Sequence, residues 1–168
     1  PASAILGQEG DGFKIAMRGL DGGRINIATC SIGTAQQALD NASEYMHERK
    51  QFGKTLANFQ ALQFKLANAA TELVAARQMV RMAASRLDNN HPDKTTYCAM
   101  AKRFATDVGF NVADEALQIF GGNGYIKEYP MERFLRDNRV HRILEGTNEI
   151  MNVIIARRLL LENAAAIL

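Results

Sequence analysis

Tryptophan is absent from the 168 residues, cysteine occurs twice and histidine three times, and the charges nearly cancel, at a formal net of +2. Each scarcity argues against a class of function. Cys30 and Cys98 stand far apart, with no CxxC spacing and no histidine at metal-ligand distance in sequence, so they are expected as buried free thiols of a reducing compartment. His47, His91 and His141 are scattered, which leaves no metal site to build. No run approaches the roughly 20 consecutive apolar residues of a membrane helix. A small net charge supports nucleic-acid binding only where it is concentrated. The densest basic run, "ERFLRDNRVHRI" at 132–143, interleaves Glu132 and Asp137 with its arginines and fits a solvated helix face with room for a phosphate contact. No alternating apolar–polar run lies between turn residues, so strands are not expected. Residues 1–10, "PASAILGQEG", lack the basic start and apolar stretch of a signal peptide, and look like a loop cut from something longer.

What is present is helical periodicity. At 47% hydrophobic residues, the chain has the size and composition of one globular domain with a real core. Phe59, Leu62, Leu66, Ala69, Leu73, Ala76, Val80, Ala83 and Leu87 alternate steps of three and four, which holds them on one seam of a helix. A second stripe passes through Ala101, Phe104, Val108, Val112, Ala116 and Ile119, with Asp93 as a cap before it and "GGNGY" as its stop. A third covers residues 24–48 through Ile27, Cys30, Ala35, Ala38, Leu39, Ala42 and Met46. The last follows Thr147, with Met151, Ile154, Ile155, Leu159 and Leu160; short pieces at 10–20 and 131–138 join the set. The expected fold is all-α, an antiparallel four-helix bundle spanning 1–168 with crossings of about 20°. Alanine-rich seams such as "LANAATELVAAR" predict close helix approach, and the width of the stripes predicts association with another subunit.

Three interruptions are more specific than a bundle requires. In "ERKQFGKTLANFQ" (48–60), Arg49 and Lys50 close one helix, Phe52-Gly53 forms a turn and Gln60 opens the next. Cations there favour the helix dipole, and an arginine could equally bind phosphate through its planar fork. In "QIFGGNGYIKEYP" (118–130), Gly121, Gly122 and Gly124 serve either a helix stop or a close backbone approach to a ligand. In "LEGTNEI" (144–150), Thr147 or Asn148 can cap the next helix and Glu149 favours its dipole, whereas Glu145 lies outside the cap. Glu145 is either a solvated loop carboxylate or a base.

With "GDGF" at 10–13, "GGRINIA" at 22–28, "AKRFATD" at 101–107 and "RFLRD" at 133–137, these segments occur in an order and spacing that resembles the acyl-CoA dehydrogenase family, specifically its C-terminal helical domain. "RGLDGGRINIATCSIG" is most similar to the isobutyryl-CoA dehydrogenase branch. The resemblance implies an FAD enzyme that converts acyl-CoA thioesters to 2,3-enoyl-CoA and passes electrons to an electron-transferring flavoprotein. A scaffold that keeps the bundle for oligomerisation, and an acyl-CoA oxidase, are the alternatives.

By the same resemblance Glu145 is the base for the α-proton. A carboxylate can do this only in a dry site where the thioester carbonyl is hydrogen-bonded as charge develops on it, in the family partly by the base residue's own amide. Relatives such as isovaleryl-CoA dehydrogenase carry their base one residue before the long-helix arginine, a place held here by Gly23. Arg24 is implied near the carboxylate and thioester, Asp21 near the CoA adenine region, and Gly146 at the substrate. Same-subunit FAD contacts fall on Thr147, Asn148 and Glu149. Contacts to the partner subunit's FAD fall on Arg49, Lys50, Gln51, Phe59, Gln60, Gln118, Ile119, Phe120, Gly121 and Gly122, which implies a homodimer or homotetramer in bacterial cytoplasm or mitochondrial matrix. The family's N-terminal helical and central β domains have no counterpart here, so the piece alone is expected to be inactive.

Overall fold

The computed structural model describes residues 1–161 and is almost wholly helical over them. Its helices are α1 (Gly12–Glu48), α2 (Gln60–Asp88), α3 (Lys94–Phe120), α4 (Met131–His141) and α5 (Asn148–Leu161). Between α1 and α2 lies a hairpin, β1 (Lys50–Gln51) with β2 (Lys54–Thr55), and a 3-10 turn at Gly121–Tyr125 follows α3.

Contacts fix the direction of each leg. Thr95 reaches Asp21, Gly109 lies against Ser31, and Phe120 stacks on Tyr45, so α1 and α3 run parallel through the centre. Arg77 of α2 reaches back to Gln36, and Lys65 pairs with Glu115, so α2 is antiparallel to both. Asn138 of α4 donates to Gly109 O, Asn148 of α5 meets Thr106, and Arg158 pairs with Asp93. Helices α4 and α5 therefore descend α3 in one direction, as two halves of a fourth leg broken at residues 142–147. The short piece expected at 131–138 is thus half of a leg, rather than a connector between legs.

The core is mostly small. Ala28, Ala35, Ala38 and Ala42 of α1, Ala76 and Ala83 of α2, and Ala101, Ala105 and Ala113 of α3 are fully buried. Gly109 sets the closest approach, since a Cβ there would lie 3.0 Å from both Cβ and the carbonyl oxygen of Ser31. The second and third stripes hold along most of their length. Ile150, Val153 and Leu160 of α5 and Phe64, Val74 and Met82 of α2 remain exposed in the single chain, so apolar surface is left over, as the wide stripes predict.

Four local expectations are corrected. Helix α1 does not start near residue 24 but runs unbroken from Gly12, through Gly22 and Gly23, because packing on α3 outweighs a propensity cost of about 1 kcal/mol per glycine. Cys30 is exposed and only Cys98 is buried. Position 30 lies two residues, about 200° around the helix, from buried Ala28. Asp93 occupies the N-cap place of α3 without capping it, its carboxylate being taken by Arg158 at 2.7 Å. Strands do occur, as the two-residue hairpin, where Phe52 and Gly53 both take positive φ (52° and 80°), the left-handed pair that a tight hairpin turn demands.

Candidate active site

Glu145 lies in the break of the fourth leg, in a left-handed turn it shares with Gly146, at φ 55° and 91°. The turn aims its carboxylate across at α1. A Cβ placed on Gly23 would stand 2.7 Å from Cδ and 3.0 Å from Oε1 of Glu145, inside normal contact. Glu145 is half-buried, and its carboxyl group is seated on the bare backbone of Gly23.

Beside it, Asp21 and Arg24 form a buried pair one helical turn apart, with Arg24 Nη1 donating to Asp21 Oδ1 at 3.0 Å. Thr95 Oγ1 donates to the other oxygen, Oδ2, at 2.7 Å, so the Asp21 carboxylate is bound on both sides inside the bundle. Arg24 Nε is buried without a hydrogen-bond partner among the described residues. Cys98 is near this pair, and burial pushes its thiol up to about 11, with Asp21 adding to the effect and Arg24 and Lys94 opposing it. It is an inert thiol at neutral pH.

The loop that carries Glu145 is tied to α3 through Asn148 and through Lys102, Thr106 and Asp107, to which the sequence assigns no role. Lys102 is fully buried, and its ammonium donates to Gly146 O at 2.8 Å and to Asn148 Oδ1 at 2.9 Å. Asn148 Nδ2 donates to Thr106 Oγ1 and to Asp107 Oδ1, both at 3.0 Å, and Arg142 Nε donates to Asp107 at 2.7 Å. Burial pushes Lys102 down to about 8; Asp107 opposes this, Arg24 adds to it, and Glu149 and Glu145 oppose it. Where α1, α3 and α4 meet, Ser31 Oγ and His141 Nδ1 share a 2.7 Å hydrogen bond. Burial holds His141 below the ordinary imidazole range, against Asp137 and with help from Lys102. A signal for Lys102 does exist in the sequence: it falls among Cys98, Ala105, Thr106 and Gly109, a second line of small residues at helical spacing on α3.

Of the two cap candidates, Thr147 does the capping. Its Oγ1 accepts from the Ile150 N–H at 3.4 Å, and its carbonyl starts the helical ladder with Met151. Asn148 instead turns its side chain inward to α3. Glu149 lies at the exposed helix start, and its carboxyl group is held below the usual range by its own backbone N–H and the Thr147 hydroxyl. Thr147, Asn148 and Glu149 line a polar cavity of about 360 Å³ with Arg103, Arg139 and Arg142.

The remaining positions assigned by the resemblance form a second group. Arg49, Lys50 and Gln51 are exposed on the hairpin, next to Phe59 and Gln60 at the start of α2. Tyr45, stacked on Phe120 at 4.1 Å and hydrogen-bonded to Asn123, brings the glycine turn to the same end. Gln118 is exposed, and Gly121 and Gly122 have open space where a side chain would be. Ile119 and Phe120 are core residues, so only their backbone is available to a ligand. This group is not at Glu145. Phe120 lies eighteen residues beyond Lys102 on α3, about 27 Å at 1.5 Å per residue. Among the described residues no cluster of metal-binding side chains occurs, and no helix is long and apolar enough to cross a membrane.

Comparison with known proteins agrees with the motifs. The family model "Acyl-CoA dehydrogenase, C-terminal domain" matches residues 10–160. The mitochondrial isobutyryl-CoA dehydrogenase of Dictyostelium discoideum is 54% identical over 159 residues, covering 95% of this chain and 38% of that protein. Butyryl-CoA dehydrogenase from Megasphaera elsdenii superimposes with a TM-score of 0.92 at 48% identity, over 95% of this chain and 42% of its own. A chain in the structure of the electron-transferring flavoprotein of Acidaminococcus fermentans gives 0.93 at 47% identity, over 96% and 42%. The chain spans about two-fifths of the length of these relatives. In sequence and in fold, it belongs to the acyl-CoA dehydrogenase family and corresponds to that family's C-terminal domain.

Proposed function

We propose that this domain supplies the base and part of the cofactor site for α,β-desaturation of a short or branched acyl-CoA by the polypeptide that contains it. The observation that carries the reading is the seat of Glu145 on Gly23. Relatives that bear their base on the long helix place it at the Gly23 position. In this chain a carboxylate from the other side of the bundle fills that same space, so two sequence positions converge on one place for proton abstraction. A solvated loop glutamate would have no reason to be folded against bare helix backbone in a left-handed turn.

The roles are those the family resemblance implies, and the placement of Glu145, Arg24 and Asp21 supports them. Glu145 takes the α-proton, and its own N–H is the donor to the thioester carbonyl on which charge develops. Gly146, proposed as a substrate contact, gives the turn its φ of 91° and leaves room for Met151, whose Cε would lie 2.8 Å from a Cβ there. Arg24 supplies positive charge next to the carboxylate, and Asp21, held by Thr95, acts by fixing Arg24. FAD, when bound, supplies the acceptor for the β-hydrogen as hydride.

The donor set suits that cofactor. Arg49 and Lys50 with Gln51 on an exposed hairpin, beside the open backbone of Gly121-Gly122, match a pyrophosphate. They would serve the partner subunit's FAD together with Phe59, Gln60, Gln118 and the backbone of Ile119 and Phe120, while Thr147, Asn148 and Glu149 would serve the cofactor of their own subunit. Dimerisation is then part of the site, and an electron-transferring flavoprotein is the proposed electron acceptor. The short or branched substrate class rests on the isobutyryl- and butyryl-CoA dehydrogenases among the relatives.

The test is Glu145→Gln in the full-length, FAD-loaded polypeptide. Bleaching of the flavin by isobutyryl- or butyryl-CoA is expected to slow at least about 100-fold, the scale of a lost general base, with flavin content unchanged. Bleaching at the wild-type rate would remove Glu145 from the role.

A further inference from the structure

Lys102 takes no part in the proton transfer just described, yet it is among the most expensively placed groups in the chain. Its side chain is fully buried, and a buried cation persists only where strong acceptors meet it. It meets two, Gly146 O at 2.8 Å and Asn148 Oδ1 at 2.9 Å, both across the break of the fourth leg. Gly146 O belongs to the residue directly after the base. Two successive residues there, Glu145 and Gly146, have positive φ, and for glutamate that region is sparsely populated and disfavoured by its Cβ. Something outside the turn has to hold it.

The acceptors are also the right ones for a clamp. A charge-assisted hydrogen bond to Gly146 O fixes the peptide that leaves the left-handed turn. The bond to Asn148 fixes the first residue of α5, whose amide is already bound by Thr106 and Asp107. One ammonium thus ties the end of the turn and the start of the next helix to the same point on α3. An apolar residue of equal volume could fill the space, but would leave the Gly146 carbonyl and the Asn148 oxygen without this donor.

We propose that Lys102 is a positioning residue for the base: by clamping Gly146 O it holds Glu145 in the turn that lays the carboxylate on Gly23. The inference rests on the role given to Glu145 above. Charged and titratable groups face Lys102 from each neighbouring element: Arg24 on α1, Asp107 on its own helix, His141 on α4, Glu145 in the break and Glu149 on α5. Its charge is therefore balanced locally, and its hydrogen bonds are the part that bears on the turn.

The experiment compares Lys102→Met and Lys102→Gln with wild type in the full-length, FAD-loaded polypeptide. It measures flavin content, KM for the acyl-CoA, the single-turnover rate of flavin bleaching per bound flavin, and the isotope effect with α-deuterated substrate. Lys102→Met is expected to keep its flavin and a KM within about threefold, but to bleach about a hundredfold more slowly, with a larger α-deuterium isotope effect because a misplaced base makes proton transfer limiting. Lys102→Gln, which retains an N–H donor, recovers part of the rate and serves alone if the methionine variant does not fold. A rate per bound flavin and an isotope effect equal to wild type, with any lost activity explained by lost flavin, would overturn the proposal and leave Lys102 a packing residue. Wild type that fails to bleach with any acyl-CoA would instead sink the parent reading, and this inference with it.

Discussion

Gly23 leaves empty the volume that the Glu145 carboxyl group fills, so the two residues form one feature of the site. Gly23→Ala separates its effects. Alanine in a helix interior is worth about 1 kcal/mol over glycine, and the conflicting atoms are the free end of a flexible side chain that can swing aside. Thermal stability is therefore expected to hold within about 1 kcal/mol of wild type, while flavin bleaching by acyl-CoA falls at least tenfold. A melting curve and a bleaching rate measured on the same sample check both halves, and an unchanged rate would mean the carboxylate works somewhere other than on Gly23. At this scale the sequence made Glu145, Arg24 and Asp21 visible through the family motifs, because the spacing of those motifs is specific. It did not make Lys102 visible. A lysine between alanine and arginine looks like a solvated residue unless Cys98, Ala105, Thr106 and Gly109 are read as a second buried line on α3.

Helices were legible where one apolar stripe decides their burial, as in α2, whose Ala69, Leu73, Ala76, Val80 and Ala83 all face inward. They were misjudged at glycines: the third stripe was read only from residue 24, but α1 continues through Gly22 and Gly23, anchored on both sides by the Asp21–Arg24–Thr95 contacts. The broken fourth leg was hidden because α4 is short and separated from α5 by the 142–147 break, so their alignment comes from contacts with α3: Asn138 on Gly109, Asn148 on Thr106 and Arg158 on Asp93. At Gly109, α3 meets both Ser31 of α1 and Asn138 of that leg. Gly109→Ala is expected to cost about 1–3 kcal/mol, since its Cβ would meet the Ser31 backbone, which cannot yield as a side-chain end can. The same change at Gly33, where no heavy atom lies within 4 Å, is expected to add about 0.5–1 kcal/mol. Denaturation midpoints of the two variants should move in opposite directions, and a shift of the same sign in both would refute close packing at Gly109.

Taken whole, the chain has two groups of candidate site residues that its own length keeps apart. Arg24 and Arg49 are separated by twenty-five residues of continuous α1, about 37 Å of rigid helix, so the hairpin and glycine turn cannot serve the Glu145 of their own chain. Motif order in the sequence revealed both groups, and the helix expected over 24–48 already spans the distance between them, since the unexpected part of α1 lies before residue 24. Under the proposed function each complete site joins the Glu145 end of one subunit to the hairpin end of another, as a two-fold pair would arrange them. Mixed dimers give the decisive measurement. A Glu145→Gln subunit keeps a sound hairpin, and a subunit with Arg49→Ala and Lys50→Ala keeps a sound base, so each homodimer has two defective sites. A heterodimer of the two has one site built from both intact halves and one built from both damaged halves. Random reassembly of equal amounts is expected to restore about a quarter of the wild-type bleaching amplitude from two nearly inactive stocks. If the mixture stays as inactive as its components, although exchange of labelled subunits shows that heterodimers have formed, the hairpin does not act across the interface.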